Sequence, residues 1–63
     1  MTQAMKVYEE VKDRLGEEIK VSKNGTKREL QDGEWKYTFF FYNGELAKIE
    51  AFNHIQLIEV YNR

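Results

Sequence analysis

Residues 34–52 read EWKYTFFFYNGELAKIEAF, and Asn43-Gly44 lies in their middle. Both residues tolerate positive φ, so the pair signals a two-residue hairpin loop between two strands. The flanks are rich in aromatic and branched residues, as strands are. They predict strands over 34–42 and 45–52. Working outward, Asp32-Gly33 and Asn24-Gly25 repeat the same signal. Asn53-His54 is a weaker fourth turn, because histidine is less comfortable there. The strands expected are 18–23, 26–31, 34–42, 45–52 and 55–61.

Before them the period is helical. Ala4, Val7, Tyr8, Val11 and Leu15 form one apolar stripe, with Glu9, Glu10, Lys12, Asp13 and Arg14 on the wet side. Thr2 is placed to cap the first turn and Gly16 to stop the last. A helix is predicted over 3–15. The fold class is α+β: an N-terminal helix packed on a four- to five-stranded antiparallel meander, in one domain spanning 1–63.

If every turn is a two-residue loop, 42 pairs with 45, 31 with 34, 23 with 26 and 52 with 55. Faces then follow by alternation. One face carries Trp35, Tyr37, Phe39, Phe41, Lys48, Glu50, Phe52, Leu57, Glu59 and Tyr61, with Ile19, Val21, Lys23, Arg28 and Leu30 from the first hairpin. The other carries Thr38, Phe40, Ala47, Ile49, Ala51, Ile58 and Val60. The second face has small residues and no central charge, so the helix is expected to dock there. The aromatic face is then left over. Either the first hairpin curls over it, or a second copy covers it, or it docks a foreign partner; large exposed apolar patches usually mark interaction sites. A bulge would swap the faces downstream of it.

Composition limits the rest. A chain of about 60 residues buries only about 60% of its unfolded surface, so small chains often add disulfides, a metal or self-association. This one has no cysteine and a single histidine, His54, against the about four Cys or His ligands of a structural zinc site. Neither a metal nor a cofactor is expected. No apolar run approaches the roughly 20 residues of a membrane helix. Met1 to Lys6 has no leader-like apolar region. A cytoplasmic location without membrane association is the expectation.

No catalytic constellation emerges either. His54 has only the distant Ser22 as a nucleophile to serve, and it reads as a turn residue. Glu9-Glu10, Glu17-Glu18 and Asp32/Glu34 fall in exposed positions, where no desolvation raises a carboxyl pKa. The four glycines are accounted for by turns and the helix stop, leaving none for a phosphate loop.

The net charge of −1 argues against a general polyanion binder, although residues 19–36 carry +2. The expectation is a small non-catalytic protein-interaction module. It either associates with itself as a homodimer or acts as an inhibitor or adaptor of a larger protein. Trp35, Tyr37, Phe39, Phe41, Phe52, Leu57 and Tyr61 are the expected anchors, with Lys48, Glu50 and Glu59 fixing orientation. The plain final strand 55–61 is a further candidate for pairing with another chain. The alternative is single-stranded nucleic acid stacking on the same aromatics, with Lys23, Lys27 and Arg28 contacting the backbone.

Overall fold

The computed structural model describes residues 3–62. The fold is α+β, one short helix and one five-stranded antiparallel sheet in meander order. The elements are α1 (Gln3–Val11), a single 3-10 turn (Lys12–Arg14), β1 (Ile19–Lys20), β2 (Gly25–Asp32), β3 (Trp35–Tyr42), β4 (Glu45–Phe52) and β5 (Leu57–Asn62). The expected Thr2 cap lies outside the described residues.

The helix ends earlier than its apolar stripe. Its last turn tightens to 3-10 form, and Leu15 is extended at φ −69°, ψ 147°. Gly16 is not a left-handed cap; among the described residues only Gly33, Asn43 and Gly44 have positive φ. Gly16 instead lies against β2. Its N–H donates to the Glu29 carbonyl at 2.9 Å, and a Cβ there would stand 3.3 Å from that oxygen. Absence of a side chain is what permits the approach.

The Asn43-Gly44 turn is as expected, with φ +52° and +81° and Tyr42 opposite Glu45. The other turns differ. β2 and β3 pair Asp32 with Trp35, so the two-residue loop is Gly33-Glu34 rather than Asp32-Gly33. This puts glycine at the first central position, where a II′ turn requires it. The slip is two residues in register, so the faces survive. At the first hairpin they do not. Ile19 pairs with Lys27, β1 is only two residues long, and Gly25 belongs to β2. Val21 and Ser22 both donate to the Gly25 carbonyl across the connection 21–24. The last connection is also longer than expected: Phe52 pairs with Leu57, and the Asn53 side chain accepts from the N–H groups of Ile55 and Gln56.

The largest correction is a bulge in β4. Phe41 pairs with Leu46 but Phe40 with Lys48, which leaves Ala47 without a partner. Strict alternation would have set Leu46, Lys48 and Glu50 on one face. The bulge sets Leu46, Ile49 and Ala51 there instead. A second irregularity in β5, between the Glu50–Glu59 and Ile49–Tyr61 pairs, brings Tyr61 opposite Ile49.

Two clean faces result. On the concave one, Arg28, Phe39, Ile49 and Tyr61 form one cross-strand row, and Leu30, Tyr37, Ala51 and Ile58 the next. On the convex one the rows are Glu29, Thr38, Glu50 and Glu59, and Lys27, Phe40, Lys48 and Asn62. The helix packs on the concave face, which holds the aromatics of β3; of the face expected to receive it, Ile49, Ala51 and Ile58 lie there, and Thr38 and Phe40 lie on the other side. Val11 and Leu15 join Phe39, Leu46 and Ile49 in the core. Tyr8 packs on Phe39 and Phe41, with ring centroids 5.8 and 5.5 Å apart. Such ring pairs add about 0.5–1.5 kcal/mol beyond area burial. The Phe39–Phe41 part of the aromatic face is therefore covered by the helix, not by a curled first hairpin.

Candidate functional site

The helix covers the Phe39–Phe41 part of the concave face and leaves the rest open. An apolar groove of about 510 Å³ remains between helix and sheet. Val7 and Val11 form its helical side, and Leu30, Trp35, Tyr37, Ala51, Ile58 and Val60 line the sheet side. Glu10, Arg14 and Asp32 contribute its charges. Ile58 and Val60 are 40% and 48% exposed, high values for branched side chains on the core face of a sheet.

Beyond Ile58 and Val60 the sheet stops. β5 is its last strand and pairs only with β4. Natural edges are usually protected by lysine, proline, covering elements or very short length. β5 has neither lysine nor proline. Leu57 is 59% exposed, and Phe52 and Ile55 continue the apolar surface around the corner. The opposite edge, β1, is two residues long and carries Lys20.

The convex face has a different character. Glu29 lies 3.6 Å from Lys27 and 3.2 Å from Lys36. Lys48 lies 3.0 Å from Glu50 and 3.9 Å from Glu59, which relieves the direct opposition of those two carboxylates. Lys48 also stands 5.6 Å from the centre of the Phe40 ring. Hydrogen bonding from Lys36, aided by the charge of Lys27, holds the Glu29 carboxyl below its ordinary range. Glu50 holds the Lys48 ammonium above its own, by hydrogen bond first and by charge second.

The expected interaction residues thus separate. Trp35, Tyr37, Phe39, Phe41 and Tyr61 share the concave face. Phe39 is fully enclosed and belongs to the core, whereas Phe41 is partly buried against Tyr8. Trp35 and Tyr37 reach the groove. Lys48, Glu50, Phe52, Leu57 and Glu59 lie on the convex face, moved there by the bulge at Ala47. Ile58 and Val60, expected beneath the helix, are the exposed groove residues. Their signal was spacing: apolar residues at 46, 49 and 51 break the period of two, and that break marks the bulge.

The basic residues separate as well. Lys23 stands exposed in the 21–24 connection. Lys27 pairs with Glu29. Arg28 spans the end of the helix, donating through Nε to the Gly16 carbonyl at 2.8 Å and through Nη2 to that of Leu15 at 3.2 Å.

Among the described residues, no group of three His, Cys, Asp or Glu side chains stands close enough to hold a metal. His54 is exposed in the 53–56 connection. No helix among them is long and apolar enough to cross a membrane. Comparison with protein-family models, with curated proteins and with solved structures found no match.

Proposed function

We propose that this chain is a non-catalytic protein-interaction module that works by associating with itself. The observation that carries this reading is the bare, apolar β5 edge, where Leu57, Ile58 and Val60 are between 40% and 59% exposed. Exposed strand edges of this kind template pairing with another strand. The adjoining groove adds apolar surface on the same flank. The reading explains how a chain with no cysteine and a core of few buried side chains gains further burial.

The competing reading, single-stranded nucleic acid on the aromatic face, has less support. It needs free aromatic faces beside free cations. Phe39 and Phe41 are packed under the helix, and Lys27 and Arg28 are engaged within the fold.

Solution mass measured by sedimentation across a wide concentration range tests the proposal. A mass that climbs from one chain to two is expected, with little change between low and moderate salt. A strict monomer at high concentration refutes it. Association with a single-stranded oligonucleotide that collapses with salt would favour the other reading.

A further inference from the structure

We infer that β5 pairs antiparallel with β5 of a second copy, edge to edge, about a two-fold axis through Ile58. The inference rests on the self-association reading and specifies its surface and register.

The hydrogen-bonding direction of β5 supplies the first constraint. Asn53 N–H donates to the Gln56 carbonyl at 3.0 Å, the outer bond of a hydrogen-bonded position, while the Gln56 N–H turns to Asn53 Oδ1 in place of the second bond. Such positions alternate with non-bonded ones along an antiparallel ladder. Ala51 and Ile58 are then bonded, and the N–H and C=O of Ile58 point into the sheet. Those of Leu57 and Glu59 point out of the edge. Beyond Glu59 the irregularity at Val60 ends the alternation.

Outward groups pair only with outward groups. In this part of the strand Leu57 meets Leu57 of the copy, or Glu59 meets Glu59, or Leu57 meets Glu59. The first register sets Glu59 of the copy against Ile55, whose N–H already donates to Asn53 Oδ1 at 2.8 Å. The second sets two carboxylates directly opposite, which is destabilising. The third avoids both faults. Leu57 and Glu59 exchange backbone hydrogen bonds with their counterparts, and Glu59 faces an apolar side chain while Lys48 on its own sheet offsets its charge.

In that register Ile58 faces Ile58 of the copy at a non-hydrogen-bonded position, where side chains approach most closely. Two exposed branched residues cover each other. The two-fold axis runs perpendicular to the sheet, so both concave faces look the same way. The two grooves then meet across the isoleucine pair as one trough. The regular edge, residues 57–59, is about 10 Å long, which makes a small interface and a dimer that dissociates on dilution.

Single-cysteine variants test the register, because the chain has no cysteine of its own. Under mild oxidation Ile58→Cys is expected to give a disulfide-linked dimer many-fold faster than Glu59→Cys, or than Val21→Cys near the far edge. Directly facing residues of such a pair lie within disulfide reach. Sedimentation of the unmodified chain is run alongside. A dimer that cross-links fastest through Glu59→Cys, or equally at all three positions, overturns this arrangement and leaves self-association standing. A chain that stays monomeric overturns both.

Discussion

Phe39 of β3 stands directly opposite Ile49 of β4, and these are the two most completely enclosed side chains, at 0% and 1% exposure. The pair sits under Tyr8 and Val11 of the helix, so helix and sheet meet through it. Ile49→Ala is expected to cost about 2–5 kcal/mol, the range for truncating a buried aliphatic side chain. A domain this small has roughly 5 kcal/mol to lose. Urea unfolding should show the variant largely unfolded at room temperature. Ile58→Ala, at a 40% exposed position, should shift the midpoint little.

Ala47 decides which face Ile49 joins. Deleting it makes Leu46 and Lys48 consecutive opposite Phe41 and Phe40, so the pairing becomes regular while Lys48, Ile49 and Glu50 keep the partners and faces they have. Only pairing Ala47 itself with Phe40 would turn Lys48 and Glu50 under the helix, and buried charges without partners are costly, which is why the residue stays unpaired. The deletion is therefore expected to keep a cooperative thermal transition; loss of that transition would show that the bulge itself is needed for the fold. Ala47→Ser keeps the bulge and should fold normally.

The order of elements was legible because Gly and Asn punctuate this chain. Asn43-Gly44 was read correctly since both residues there have positive φ. Asn24-Gly25 carries the same letters and forms no two-residue loop; the Val21 and Ser22 amides converge on the Gly25 carbonyl instead. A dipeptide reports local preference, whereas register depends on what packs across the sheet. The site was read less well for the same reason. One unpaired residue, Ala47, parted Lys48, Glu50 and Phe52 from the β3 aromatics and set Ile49 on the same face as Phe39. Phe39 drew attention as an aromatic anchor, and its anchoring is internal.

Arg28 ties the end of the helical segment to β2 through two backbone carbonyls, those of Leu15 and Gly16. A planar guanidinium matches two acceptors at once, and an ammonium does not. Arg28→Lys is therefore expected to lose about 1 kcal/mol despite keeping the charge. The Gly16 amide, bonded to Glu29, should exchange faster with solvent while the Phe39 and Ile49 amides keep their protection.

The convex ion pairs set the pH response. The folded-state pKa of Glu29 is lowered, chiefly by its hydrogen bond from Lys36. Its contribution is fully present above the ordinary carboxyl range near 4.5 and is lost as pH falls through the lower folded value. Glu29→Gln should flatten the acid limb of a stability–pH curve, by at most about 1 kcal/mol for so exposed a pair. Lys48 has the opposite sign. Its pKa is raised, chiefly by Glu50, so its contribution is present below 10.5 and is lost as pH rises through the folded value. Lys48→Met should flatten the alkaline limb.

The β5 edge separates folding from association. Natural sheets keep their edges apart with lysine, and β5 has none. Ile58→Lys adds one at a position the fold leaves 40% exposed. In the proposed dimer two such lysines would face each other at the closest point of the interface, where like charges repel. The variant is expected to keep its helix and sheet signals and a melting temperature within a few degrees of the parent in dilute solution. It should remain a monomer by sedimentation at concentrations where the parent associates. Lys20→Met, an apolar substitution on the opposite edge, should leave the mass unchanged, because β1 offers only two residues of ladder. If Ile58→Lys still dimerises as the parent does, the contact lies elsewhere on the molecule, and the open groove beside Trp35 and Tyr37 becomes the surface to alter next.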